Sequence, residues 1–154
     1  MYNSKITGLG YYVPENIVTN NDLKEFMETT DEWIQERTGI KERRWIDPKT
    51  EDTTAVMGAK AARIAIERSG LTKDEIDFIV FATLSPDMYF PGGGVQVQEL
   101  LDMPTIGALD VRNQCSGFIC LVGSRSIYQN RDVSKYFGDW CRESFRRIGT
   151  LYKM

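Results

Sequence analysis

Hydrophobic and polar positions along this chain follow two alternating rhythms: short apolar runs, and longer stretches with a helical period. Lys5 to Tyr12 is a short β-type run carrying Gly8 and Gly10, closed by the turn residues Pro14-Glu15-Asn16. Thr19 is placed to cap a short helix through Asn21 to Glu28, with Leu23, Phe26 and Met27 on its inner face. Thr30 stands ahead of Asp31 to Arg37, whose acidic first turn suits the helix dipole, and Gly39 ends that helix. Thr53 or Thr54 opens a longer helix, Ala55 to Ser69, stopped by Gly70. Val56, Ala59, Ala62 and Ile66 recur along it as a close-packing face. Thr72 with Glu75 reads as a capping box for one turn. Phe78 to Leu84 is an unbroken apolar run with β-branched members, the pattern of a strand buried on both faces. Val95 to Leu101 reads as a short helix, and Ile106 to Val111 as the next buried strand. Strand, helix, strand, helix, strand predicts an α/β chain with a parallel or mixed sheet and helices on its faces.

Composition narrows the function classes. A chain of 154 residues is long enough for one domain with a real core. Hydrophobic content of 42% and charged content of 27% are ordinary for a soluble globular protein. A net charge of −3, with no basic stripe interleaved with aromatics, argues against a nucleic-acid partner. Nothing approaches membrane-spanning length, and Met1 to Lys5 lacks the apolar core of a signal peptide, so no membrane partner is expected. Three cysteines (Cys115, Cys120, Cys141) without framework spacing favour a reducing cytoplasm. With no histidine and no Cys-x-x-Cys, neither a metal site nor a bound cofactor is expected.

The candidate chemistry centres on Asn113-Gln114-Cys115-Ser116-Gly117-Phe118, which follows the second predicted strand. A strand that delivers Cys115 to the start of a helix points its sulfur out of the sheet's C-terminal edge, where α/β proteins place their sites. Unpaired N–H groups at a helix start favour thiolate and can donate to the oxyanion of a thioester intermediate. Against this, a thiol nucleophile usually needs a histidine beside it. A small cysteine filling space under a turn explains the hexapeptide equally well. Two other motifs carry less. Gly92-Gly93-Gly94 lacks the lysine of a phosphate cradle and reads instead as a tight backbone approach in a dimer contact. The adjacent Arg43 and Arg44 read as solvent-facing charges.

The surrounding segments break the tie over Cys115. Gly8-Leu9-Gly10-Tyr11-Tyr12-Val13-Pro14, Thr19-Asn20-Asn21-Asp22-Leu23, Thr30-Asp31-Glu32-Trp33-Ile34 and Arg37-Thr38-Gly39-Ile40 resemble the opening of the β-ketoacyl-acyl carrier protein synthase III family. Ala82-Thr83, Phe90-Pro91, Val97-Gln98, Asp110-Val111 and the Cys-Ser-Gly-Phe motif continue the resemblance in order over residues 1–119. The resemblance implies a thiolase-like fold, of which this chain holds the N-terminal half of the layered α-β-α-β-α architecture, incomplete. It implies a homodimeric acyltransferase that moves an acyl group from coenzyme A onto a cysteine matching Cys115. That group is then condensed with malonyl-acyl carrier protein in a decarboxylative Claisen reaction that initiates fatty acid biosynthesis. Acyl-CoA and acyl carrier protein are thus the implied partners. By the same resemblance, Trp33 and Arg37 hold the nucleotide end of coenzyme A, Thr29 lines its entrance, and Phe90 shapes the partner subunit's acyl pocket. Relatives that supply polyketide, olefin or alkylquinolone starters share these motifs, so the primer is left open.

After residue 119 the resemblance ends and the charge balance inverts. Residues 1–119 hold 12 Lys and Arg against 19 Asp and Glu, whereas residues 120–154 hold 7 against 3. Reading plausible codons for Tyr128 to Glu143 from their second base permits IKTGMYQNILVIGAE, a helix end, a turn and a buried strand. In that frame Trp140-Cys141 forces Gly, and Asp132-Val133 allows only Met or Thr. The expectation is a truncated half-domain over 1–119 and an out-of-frame tail over 120–154. The family's histidine and asparagine would then be missing and the chain inactive. Two alternatives are a non-catalytic fragment that binds coenzyme A or a full-length subunit, and an intact small cysteine-dependent acyl carrier.

Overall fold

The computed structural model describes residues 6–112 and 149–151. They belong to two compact units, Val13–Asp52 and a second formed by the segment before Val13 together with everything from Thr53 onward.

The smaller unit pairs strand β1 (Ile17–Thr19) antiparallel with β2 (Glu42–Arg44), Val18 opposite Arg43. Between them lie a single 3-10 turn, Asp22–Glu25, and helix α1 (Asp31–Thr38). Helix α1 starts as its sequence predicts, with the Thr30 hydroxyl accepting from the Trp33 N–H at 3.1 Å, and stops at Gly39 in the left-handed conformation (φ 70°). A left-handed residue at that point costs glycine nothing. The apolar centre is only Val18, Leu23 and Ile34. The helix expected over Asn21 to Glu28 is this one turn. Leu23 faces inward, but Phe26 and Met27 are exposed, and the Phe26 ring tilts against Trp45 at 5.8 Å. Local polar bonds compete with a longer helix here: the Asp22 carboxylate accepts from both the N–H and the hydroxyl of Thr19, each at 2.7 Å.

The larger unit is built around β3 (Phe78–Ala82), which pairs in parallel with β4 (Gly107–Val111) on one side and β5 (Gly149–Leu151) on the other. Ile79 and Phe81 share one face of β3. They pack against Ala55, Ala59 and Ala62 of α2 (Thr54–Ser69) and against Val97 of α3 (Gly93–Leu100), with Leu101 beside them. Ile66 joins this core partly buried, whereas Val56 stays at its margin. The small residues of α2 let a helix approach closely: a Cβ on Gly58 would already sit 3.0 Å from Phe81. Thr53 caps α2, Gly70 ends it (φ 72°), and the Glu75 carboxylate accepts the Thr72 N–H at 3.0 Å, as the spacing predicts.

Three expectations need correction. The run up to Tyr12 joins no sheet among the described residues; instead Gly8 and Gly10 lie against α2, where a Cβ would fall 2.2 Å from the Ala65 carbonyl or 2.1 Å from that of Ala61. Strand β3 ends at Ala82, leaving Leu84 exposed. Strand β4 is not buried throughout: it lies at one end of the three-stranded order, and Leu109 keeps 39% of its surface.

Candidate functional site

In the smaller unit the backbone entering α1 makes an open cleft of about 420 Å³ lined by Glu28, Thr29, Thr30 and Trp33. Trp33 lies on the first turn of the helix, one turn before Arg37, so both side chains project from the same side. The Arg37 guanidinium sits 4.5 Å from the centroid of the Trp33 ring, and half of that residue (52%) remains open to solvent. The Thr29 hydroxyl is buried and has no hydrogen-bond partner among the described residues, and Thr29 is one of the residues that line the cleft. An uncompensated buried hydroxyl costs stability. A flat indole and a guanidinium beside it are a fitting set for an aromatic ring carrying phosphate. Three of the five residues singled out by sequence, Thr29, Trp33 and Arg37, thus stand together.

The sequence did not single out what holds this helix. Asn20 is 1% exposed, and its amide donates to Asp31 Oδ1 and to the Ile40 carbonyl, both at 2.7 Å. Its own oxygen accepts from Arg43 Nη2 at 2.6 Å. The second Asp31 oxygen accepts from Gln35 Nε2 at 2.7 Å. The Asn20 bond, then that of Gln35, hold the Asp31 carboxyl below its ordinary range. The motif Thr19-Asn20-Asn21-Asp22-Leu23 is visible in the chain, but Asn20's partners lie 11, 20 and 23 residues away. Arg44 is exposed, as its sequence suggests, whereas Arg43 is half-buried, and both are hydrogen-bonded. Arg43 also reaches the Val18 carbonyl at 3.3 Å, and Arg44 donates to the Glu15 carbonyl at 3.1 Å.

In the larger unit Phe90 is 90% exposed on the loop before α3, ahead of a cis peptide bond to Pro91. That loop is fixed from behind by Asp87, whose two carboxylate oxygens accept the Thr54 and Ala55 N–H groups at 2.7 Å each. Burial pushes the Asp87 carboxyl up, but these two N–H bonds and the Thr53 and Thr54 hydroxyls outweigh it and leave the group below its ordinary range. The three glycines make a tight approach within the chain. A Cβ on Gly92 would fall 2.0 Å from Asp110 Oδ2, and one on Gly93 2.4 Å from the Phe81 ring. The Gly94 N–H donates to Asp110 Oδ1 at 3.1 Å. Cys115 and the rest of its hexapeptide lie outside the described residues. Among the described residues no group of three His, Cys, Asp or Glu could hold a metal ion, and no helix is long and apolar enough to cross a membrane.

No family model matches the chain. Relatives do. A beta-ketoacyl-[acyl-carrier-protein] synthase III of Thioalkalivibrio sulfidiphilus is 45% identical over 120 residues, 78% of this chain and 37% of the relative. One from Rhizobium rhizogenes is 39% identical over 148 residues, 96% of this chain and 45% of the relative. Among solved structures, 3-oxoacyl-[acyl-carrier-protein] synthase III from Aquifex aeolicus superposes with a TM-score of 0.76 at 40% identity, covering 82% of this chain and 40% of that one. The chain therefore spans about two fifths of the proteins it matches.

Proposed function

Because the chain carries the N-terminal part of the β-ketoacyl-[acyl-carrier-protein] synthase III family on a thiolase-like α/β framework, we propose that its cleft receives the nucleotide end of an acyl-CoA. The observation that carries this reading is the conjunction at α1: Trp33 offering an open ring, Arg37 stacked 4.5 Å over it, and a cleft lined by Trp33, Glu28, Thr29 and Thr30. The indole face takes adenine and the guanidinium takes phosphate, with Thr29 in the wall of the cleft.

The chemistry proposed for the whole protein follows. The Cys115 thiolate attacks the acyl thioester carbonyl, the tetrahedral oxyanion collapses, and coenzyme A leaves as a thiolate that takes up a proton. A malonyl thioester on acyl carrier protein then loses carbon dioxide. The resulting carbanion attacks the acyl-cysteine, forming a carbon–carbon bond and releasing the Cys115 thiolate. The carbanion step needs donors that a chain without histidine does not supply, so this 154-residue polypeptide is proposed to stop at acyl-Cys115. The homodimer, the role of Phe90 in a neighbouring acyl pocket and a cytoplasmic location belong to the same proposal.

Titrating the full chain with coenzyme A while following Trp33 fluorescence, then weighing Cys115-containing peptides after exposure to acetyl-CoA, tests both halves. Saturable quenching that Trp33→Ala abolishes is expected, with an acetyl adduct on Cys115. No binding, or turnover of malonyl-acyl carrier protein by this chain alone, would overturn it.

A second reading concerns residues 120–154 and rests on the inverted charge balance and the permitted shifted-frame peptide. The coding DNA decides: bases that cannot encode the shifted peptide sink the out-of-frame reading.

A further inference from the structure

Helix α1 is only eight residues long and too short to hold itself in water. Its inward face supplies a single buried side chain, Ile34. Something else must fix its position if the cleft at its N-terminus is to have a defined shape. Asn20 reaches both ends of it. One amide hydrogen goes to Asp31, the first helical residue, and the other to the carbonyl of Ile40, immediately beyond the Gly39 cap. Arg43 on β2 holds the amide oxygen, which fixes the plane of the group and so the direction of both donors. Asp31 is tied in turn to Gln35, one turn along the helix. Thr30 and Trp33, flanking Asp31, line the cleft, and Arg37 stacks on Trp33.

We propose that Asn20 is a positioning residue for the nucleotide cleft. By clamping both ends of α1 it sets the rotation of the helix, and hence the direction in which the Trp33 ring and the Thr29–Thr30 wall face a ligand. This deepens the coenzyme A reading and rests on it for the ligand, while the clamp itself is readable without one. Neither hydrophobic periodicity nor cap chemistry requires an asparagine at this position. A residue needed only to fill a buried space of that size could be apolar, with apolar neighbours around it, since replacing both partners of a buried hydrogen bond by apolar groups of the same shape can be nearly neutral. Here the three partners left behind would each lose a bond.

The test uses the full chain with Trp45→Phe and Trp140→Phe, so that Trp33 alone emits. Asn20→Leu and Asn20→Asp are compared with an exchanged pair, Asn20→Asp with Asp31→Asn, which restores one donor–acceptor contact with the roles reversed and keeps a carboxylate facing Arg43. In both single variants acrylamide quenching of Trp33 is expected to change at least twofold with helix content retained, and coenzyme A affinity to fall at least tenfold. The exchanged pair is expected to recover most of both. Unchanged quenching in a folded Asn20→Leu chain overturns the proposal, whatever coenzyme A does. So does an exchanged pair that regains thermal stability without regaining the Trp33 signal. If the quenching changes and recovers as described but the parent chain binds no coenzyme A, the positioning role stands and the coenzyme A reading falls. Should Asn20→Leu fail to fold, the Asn20→Asp chain below pH 4 supplies the comparison, since protonation there removes the repulsion between its two carboxyls. Recovery of the Trp33 signal on acidification supports the clamp, and a signal independent of pH overturns it.

Discussion

The two compact units solve the same problem by opposite means. In the larger one, Ala55, Ala59, Ala62, Ile79, Phe81, Val97 and Leu101 interlock, and polar groups serve mainly to cap the helix ends. In the smaller one, three apolar side chains, Val18, Leu23 and Ile34, are too few to specify an arrangement, and a buried amide with its three partners does so. Apolar packing is non-directional, so it tolerates repacking at the cost of stability. A hydrogen-bonded hub is directional, so it adds less net energy but fixes one geometry. The cleft proposed to present a ring and a cation to a nucleotide stands on the second kind of support.

The contrast can be broken most severely at Ile79, which is fully buried at the centre of the sheet. Ile79→Ala is expected to cost about 2–5 kcal/mol, read as a lowered denaturant midpoint with α2 helicity lost in the same transition. Next comes Asn20→Ala, which orphans Asp31, the Ile40 carbonyl and Arg43. About 1–3 kcal/mol is expected, and by hydrogen exchange the loss should be confined to amides of Val13–Asp52. Loss spread evenly over both units would deny the distinction.

Capping effects are smaller. Removing the Thr53 hydroxyl, which accepts the Val56 N–H at 3.3 Å, should cost about 0.5–2 kcal/mol and fray the first turn of α2. Acid probes the carboxylates of both units. Asp31 and Asp87 have folded-state values held below the ordinary one, so each adds stability that is fully present above about pH 4 and is lost as the pH falls through its lowered value. Asp31→Asn should flatten the acid limb for the small unit, and Asp87→Asn that for the large one; exchanged effects would contradict the assignments. The smallest change belongs to the exposed candidates. Arg37→Gln and Phe90→Ser should each move stability by less than about 0.5 kcal/mol, while Arg37→Gln alone weakens coenzyme A binding.

The elements with chemical punctuation are legible in the chain alone. Thr30 and Gly39 bracket α1, Thr53 and Gly70 bracket α2, and the β-branched run at Phe78 marks β3, because caps and strand patterns are set within a few residues. Trp33 and Arg37 are singled out in the chain only by resemblance, and the structure adds that, one helical turn apart, they stack on each other. Phe26 is the converse case: a helical period would turn it inward, but Asp22 and Thr19 close a single turn and leave it in solvent. The Gly92–Gly94 run signals that something approaches closely, yet only the fold reveals that the neighbours are Asp110 and Phe81 of the same chain.

By itself, then, the sequence determined the α/β alternation and the helix ends. Those properties follow from spacings of three to five residues and from side-chain chemistry that travels with the residue. Tertiary structure alone decided which polar group is buried and what it holds. Asn20 reads as one more turn-forming asparagine until Asp31, Ile40 and Arg43 are brought around it. Its role is a matter of contacts that no local pattern encodes, since the energy of a buried amide depends entirely on the partners the fold delivers.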